Sequence, residues 1–127
     1  FLEELKENKV PAAVATSAPR DNVEFVFKYL PIRNYFEFVL DASHIQNGKP
    51  NPEIYLKSIS KLGLEPNQCI IFEDSLSGVQ AALDSGAQVI AVSTTHRPEE
   101  FHNVNGIIKD FRNINYEKLR SLNIAEK

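Results

Sequence analysis

Short apolar runs alternate with amphipathic segments along the whole chain. The runs have the length and composition of buried β-strands, and Pro, Gly or Asn residues bound most of them. Between them, apolar side chains recur at the three- and four-residue spacing of a helix that packs one face against a core. The predicted strands are residues 12–16, 36–40, 69–74 and 87–92, with a short edge strand at 106–108.

Residues with known helix-end preferences mark the predicted helices. Asn51 followed by Pro52 is a typical helix start, as is Ser75, and Gly63 and Gly86 are typical helix ends. The predicted helices are residues 1–9, 22–30, 52–62, 75–85 and 116–122, with a short one at 97–103. The apolar positions of the second helix are Val23, Phe25 or Val26, Phe27 and Leu30.

Strict alternation of strand and helix predicts the fold class. Repeated βαβ units with right-handed crossovers give a parallel sheet covered by helices on both faces. We therefore expect an α/β, Rossmann-like three-layer sandwich. The last five residues, 123–127, are expected to fray.

Composition excludes several classes of function. The 127 residues suit one domain, and a net charge of −3 without a basic stripe argues against a nucleic-acid partner. No apolar stretch is long enough to span a membrane, and the first residues show no signal-peptide pattern. The single Cys69 lies in an apolar run, which indicates a buried, inert thiol and fits a cytoplasmic protein.

The third predicted strand ends in two adjacent carboxylates, Glu73 and Asp74. Open parallel sheets bind ligands at the carboxyl ends of their strands, and hard oxygen ligands suit Mg²⁺. The alternative is an acidic pair that only begins a helix, where the helix dipole favours negative charge.

Two other segments bring further polar groups to the same edge of the predicted sheet. The first strand ends in Thr16 and Ser17, and Lys49 precedes the third helix. A hydroxyl can donate to a phosphoryl oxygen, an ammonium can neutralise phosphate, and a carboxylate pair can hold Mg²⁺. These groups together suit phosphoryl transfer, where positioning and charge neutralisation dominate catalysis.

Three motifs in order resemble the haloacid dehalogenase superfamily of phosphotransferases, and within it the β-phosphoglucomutase-like branch. They are Val-Ala-Thr-Ser at 14–17, Gly-Lys-Pro-Asn-Pro-Glu-Ile-Tyr at 48–55, and Phe-Glu-Asp-Ser-Leu-Ser-Gly-Val-Gln-Ala-Ala at 72–82. The two later motifs are specific in combination, and the resemblance extends from about Leu2 to Ser121.

The resemblance implies a role for each matching residue. The Thr16 hydroxyl and the Ser17 backbone N–H would each donate a hydrogen bond to the transferring phosphoryl group. Lys49 would stabilise the negative charge there. Asp74 and Glu73 would bind Mg²⁺, the implied cofactor. Two further contacts to substrate phosphate are implied more loosely, Arg20 and Asn22.

One part of the family pattern is missing from the sequence. The family uses an aspartate nucleophile in an Asp-x-Asp motif, and none of the five aspartates here is followed by another two positions later. We therefore expect residues 1–127 to be the C-terminal portion of the core domain, with the nucleophile strand and the cap in an upstream segment of roughly 80–100 residues. That strand would lie between the strands ending at Thr16 and Asp74, and its absence would leave a gap of ~10 Å.

The predicted function is Mg²⁺-dependent phosphoryl transfer by the parent protein. It would form an aspartyl-phosphate and act as a phosphatase or a phosphoglucomutase on a small phosphorylated metabolite such as a sugar phosphate. A catalytically inactive binding domain, either a pseudoenzyme or a receiver-like module, stays open as the alternative. The order Thr16, Lys49, Glu73-Asp74 fits a receiver poorly, because receivers place their acidic pair early.

Overall fold

A computed structural model describes residues 1–121 and the backbone of residue 122. The five α-helices of this part are α1 (Leu2–Glu7), α2 (Arg20–Tyr29), α3 (Glu53–Leu62), α4 (Leu76–Asp84) and α5 (Tyr116–Leu122). Short 3-10 helices cover Arg33–Tyr35, Ala42–His44, Pro66–Gln68 and Pro98–Glu100. The tail expected to fray, residues 123–127, lies outside the described residues.

Five parallel strands form two separate sheets in this part of the chain. They are β1 (Val14–Ala15), β2 (Val39–Leu40), β3 (Ile70–Glu73), β4 (Gln88–Val92) and β5 (Gly106–Ile108). The first sheet pairs β1 with β2, and the second has the order β3-β4-β5. No strand within residues 1–122 pairs with the outer edges of β1 and β3, so the expected break between these two strands is present. That a further strand fills this break stays a prediction.

Strand β4 carries the core because both of its faces are buried. Side chains alternate between faces along a strand, so Val89 and Ala91 pack with α3 and α4, while Ile90 packs on the other side against Leu5 of α1 and Leu119 of α5. Helices therefore cover both faces of the β3-β4-β5 sheet. This confirms the α/β, parallel, three-layer fold class.

The element boundaries agree with the sequence patterns in part. Strand β5 and helix α5 have the predicted bounds, and Gly63 ends α3 in the left-handed conformation at φ 73°. Strands β1 and β2 are only two residues long and pair with each other, Val14 with Val39 and Ala15 with Leu40. Helix α2 begins at Arg20, two residues before its predicted start.

The apolar positions of α2 are mostly exposed. Val23 is buried, whereas Phe25 and Tyr29 are 64% and 65% exposed, and their rings lie tilted against each other with centroids 5.1 Å apart. Leu56 of α3 is exposed as well. Helical spacing identifies an apolar stripe but does not show whether another element lies beside it. No helix within residues 1–122 has the length and apolar character required to cross a membrane.

Candidate active site

The carboxyl ends of β1 and β3 border a small open cleft of about 450 Å³. Thr16, Ser17, Lys49, Glu73 and Asp74 all contribute to its walls, as the sequence predicted for one edge of a parallel sheet. The remaining lining residues are Ala15, Ala18, Phe72, Ser75 and Ser77. The cleft therefore brings together several hydroxyls, an ammonium and two carboxylates.

Glu73, the last residue of β3, is buried and accepts hydrogen bonds on both carboxylate oxygens. Its Oε2 accepts from Lys49 Nζ at 2.8 Å and from the Tyr55 hydroxyl. Its Oε1 accepts longer bonds of 3.2 to 3.4 Å from the backbone N–H groups of Asp74 and Ser75 and from the Ser75 hydroxyl. Burial raises the pKa of Glu73, but these donors, led by Lys49 and Tyr55, outweigh it and hold the pKa below its usual value.

The first turn of α4 forms the back wall for Glu73. Ser75 caps this helix, its Oγ accepting from the Gly78 N–H at 3.0 Å. A Cβ at position 78 would overlap the Glu73 side chain, so glycine is required there for Glu73 to lie against the helix. The predicted start of a helix at Ser75 is therefore correct. The first turn of this helix also packs against the Glu73 side chain and restricts its position.

Lys49 approaches Glu73 from the loop before α3, and its side chain is only 11% exposed. The lysine follows a turn that Glu53 clamps, since Glu53 accepts hydrogen bonds from the backbone N–H groups of Gln46 and Asn47, both at 2.9 Å. These two bonds, assisted by Lys57, lower the pKa of Glu53 to about 2. Glu53 therefore stabilises the loop only as a carboxylate.

Replacing Glu53 with Gln tests this clamp through its pH dependence. A folded-state pKa below the unfolded one adds stability that is complete above the unfolded value, about 4.3, and is lost as the pH falls towards 2. We expect Glu53→Gln to lower the free energy of unfolding at pH 7, and the difference from wild type to shrink below pH 4. Urea unfolding of the complete protein at several pH values measures this. A difference that is constant with pH would contradict the clamp.

Thr16 lies directly after β1, where its backbone N–H donates to Leu40 O at 2.9 Å and extends the pairing with β2. Its Oγ1 accepts from the Ala18 N–H at 3.1 Å. This bond uses a lone pair of the hydroxyl oxygen and leaves its proton available. The Thr16 O–H can therefore donate to an anion in the cleft.

Arg20 and Asn22 do not line this cleft in the described part of the chain. Arg20 begins α2, is 65% exposed, and places its Nε 3.8 Å from the buried carboxylate of Asp41. Asn22 is exposed in the first turn of the same helix. Their implied contacts with substrate phosphate stay a prediction.

The sequence reasoning missed Asp41 and Tyr55, two buried polar residues beside the predicted ones. Asp41 follows β2 and accepts from the Ser43 N–H and hydroxyl, which hold the pKa of its carboxyl below the usual value. Tyr55 belongs to the α3 core face, and burial followed by the Glu73 charge raises the pKa of its hydroxyl. Tyr55 is the last residue of the second motif, but neither the motif nor the helical spacing indicated a partner for its hydroxyl.

The donor set at this edge is compatible with Mg²⁺. Asp74 is exposed at the cleft and Glu73 Oε1 makes only long contacts, so both can offer hard oxygen ligands. Residues 1–122 contain no group of three or more His, Cys, Asp and Glu side chains arranged to hold a metal. One or two carboxylates completed by phosphate oxygens and water are nevertheless the usual protein ligands of Mg²⁺.

Known proteins are similar to this chain in sequence and in fold. Validoxylamine A 7'-phosphate phosphatase of Streptomyces hygroscopicus subsp. limoneus is 33% identical over 91% of the chain and 54% of its own length. Phosphorylated carbohydrates phosphatase of Thermotoga maritima is 37% identical over 70% of the chain and 41% of its own length. The crystal structure of β-phosphoglucomutase from Clostridium difficile superposes with a TM-score of 0.82 and 26% identity, covering 96% of this chain and 52% of that one.

These matches confirm the resemblance seen in the three motifs, including the β-phosphoglucomutase-like branch. The chain spans about half the length of the curated relatives it matches. The haloacid dehalogenase-like hydrolase family matches residues 1–92. Residues 1–92 include Thr16, Lys49, Glu73 and Asp74, so the matched range contains these cleft residues and strands β1 to β4, while β5 and α5 lie beyond it. The chain belongs to the haloacid dehalogenase-like hydrolase family.

Proposed function

We propose that the complete protein is a Mg²⁺-dependent phosphotransferase that acts on a small phosphorylated carbohydrate through an aspartyl-phosphate. The observation that carries this proposal is the meeting of Thr16, Lys49, Glu73 and Asp74 at one cleft. Each supplies a group that phosphoryl transfer needs, and the buried pair of Lys49 and Glu73 holds the ammonium in place.

Each residue of the cleft has a definite part in the proposed reaction. The Thr16 hydroxyl and the Ser17 N–H bind and orient the phosphoryl oxygens, and Lys49 offsets negative charge on the phosphoryl group and on the attacking carboxylate. Asp74 and Glu73 would hold Mg²⁺, which supplies charge neutralisation at the transferring group. The reaction then depends mainly on positioning and electrostatic stabilisation.

The nucleophilic aspartate in this proposal comes from a segment of the same protein outside residues 1–127. Between β1 and β3 the structure has an apolar groove of about 1540 Å³, lined by side chains such as Val14, Ile70 and Phe72. Each flanking strand has an edge to which no other strand in residues 1–122 is paired. A parallel strand in this groove would pair with both and would end at the cleft.

The names of the relatives support the proposed substrate class. Two of them are named as phosphatases, one of validoxylamine A 7'-phosphate and the other of phosphorylated carbohydrates. A third is a β-phosphoglucomutase. A phosphatase passes the phosphoryl group to water, whereas a mutase returns it to a sugar hydroxyl. The residues of this cleft serve both outcomes, so the proposal covers both.

The test is an assay of the complete protein against a panel of sugar phosphates, with and without Mg²⁺. Released inorganic phosphate identifies a phosphatase, and conversion between phosphate positional isomers identifies a mutase. We expect one of the two activities, and we expect a metal chelator to abolish it. Binding of sugar phosphates without either conversion would overturn the proposal in favour of a binding-only domain.

A further inference from the structure

Tyr55 holds a buried position next to two residues of the cleft. It lies in the first turn of α3, is 5% exposed, and belongs to the core cluster that includes Ile54 and Val79. Its backbone N–H donates to Pro52 O at 3.0 Å, which closes the first turn of the helix. Because the ring is packed in the core, it has little freedom to move.

Tyr55 contacts Glu73 and Lys49 at the same time. Its hydroxyl donates to Glu73 Oε2, the oxygen that also accepts from Lys49 Nζ. The same ammonium lies 4.9 Å from the centroid of the Tyr55 ring, within range of a cation–π attraction. The three side chains thus form one buried triad, defined here as Lys49, Tyr55 and Glu73.

We propose that Tyr55 is a positioning residue for phosphoryl transfer, whose hydroxyl and ring fix the Glu73 carboxylate and, through it, the Lys49 ammonium at the cleft. This inference rests on the proposed function. It assigns Tyr55 no contact with the substrate, since the ring packs in the core and acts through the two charged partners.

The physical reason is the number of donors on one carboxylate oxygen. Lys49 and Tyr55 both donate to Glu73 Oε2, and the first turn of α4 lies against the Glu73 side chain. The carboxylate therefore has one orientation in which both hydrogen bonds form. Without the hydroxyl, the carboxylate can rotate about its last bond, and Lys49 follows it because their charge-assisted bond is the strongest contact of either group. A lysine displaced by even 1 Å would stabilise the developing charge less well.

The first test compares Tyr55→Phe with wild type in the complete protein. The substitution removes one oxygen atom and keeps the ring. We expect kcat for the sugar phosphate to fall about 10-fold, the effect of losing one hydrogen bond to a charged group, with KM changed less than about twofold. The matched control is Ser58→Ala, which removes another buried hydroxyl from α3, one bonded only to Ile54 O, and should leave kcat unchanged.

The second test reads the position of Lys49 without turnover. The folded protein is treated with an acetylating reagent, and the modification of each lysine is followed by peptide mass spectrometry. Lys49 should react slowly in wild type and Ser58→Ala, and about 10-fold faster in Tyr55→Phe, relative to the exposed Lys57 as internal standard. A purely structural role for Tyr55 would not move this ratio.

The two tests separate the positioning role from the proposed function. Unchanged kcat and unchanged Lys49 reactivity in Tyr55→Phe would overturn the positioning role, even in an active enzyme. A wild-type protein without phosphotransferase activity would overturn the proposed function, and the acetylation ratio would still decide whether Tyr55 holds Lys49. An equal fall of kcat in Ser58→Ala would also count against a specific role for Tyr55.

Discussion

Asp74→Asn in the complete protein is expected to lower Mg²⁺-dependent turnover about 1000-fold. Asp74 is the exposed carboxylate of the cleft, and its replacement removes a charged ligand from the proposed metal position. A metal's stabilisation of a transferring phosphoryl group is worth several kcal/mol, and each 1.4 kcal/mol lost slows the reaction tenfold. The measurement is kcat over a range of Mg²⁺ concentrations, and we expect half-maximal activity to require more Mg²⁺ than in wild type.

The control for this variant is Asp84→Asn. Asp84 is an exposed aspartate at the other end of α4, where its carboxylate accepts from Gln80. It should leave kcat and the Mg²⁺ dependence within about twofold of wild type, because exposed substitutions away from a site have small effects. Near-normal turnover in Asp74→Asn would refute the assignment of Asp74 to the metal.

Lys49→Met is expected to destabilise the complete protein by about 3–5 kcal/mol as well as to stop turnover. Lys49 and Glu73 are both nearly buried, and removing one partner of a buried ion pair leaves an uncompensated charge. Without Lys49, the Glu73 carboxylate keeps hydrogen bonds from the neutral Tyr55 hydroxyl and Ser75 groups, which do not neutralise its charge. Urea unfolding at pH 7 measures the loss.

Two further variants separate the buried charge from other effects of this substitution. Lys57→Met removes a lysine that pairs with Glu53 at the surface, and such pairs contribute about 0–1 kcal/mol. The double variant Lys49→Met with Glu73→Gln carries no buried charge at this place, so we expect it to regain most of the lost stability while it stays inactive. A Lys49→Met protein as stable as Lys57→Met would contradict the buried pair.

The sequence sufficed for the residues that lie at strand ends. A short apolar run followed by Glu73 and Asp74 predicts a buried strand with carboxylates at its end, and Ser75 predicts the helix that follows. In a parallel sheet these strand ends share one edge, so the meeting of Thr16, Glu73 and Asp74 could be predicted without coordinates. These features depend on local pattern and topology.

Other features depend on packing between elements that are distant in the sequence. The hydroxyl of Tyr55 reaches Glu73, 18 residues further along the chain, and nothing in the local pattern distinguishes it from an ordinary core aromatic. The same limit applies to α2, because the sequence shows its apolar positions but does not show that Phe25 and Tyr29 stay exposed. Such contacts depend on residues that are distant in the sequence, and the spacing of apolar residues along the chain does not reveal them.

The most direct test of the central claim is a crystal structure of the complete protein with Mg²⁺ and inorganic phosphate. The account predicts phosphate in the cleft, within hydrogen-bonding distance of Thr16 Oγ1 and Lys49 Nζ, with Mg²⁺ bound to Asp74 and a strand from outside residues 1–127 paired between β1 and β3. Phosphate bound elsewhere, with the cleft filled by other side chains, would contradict it.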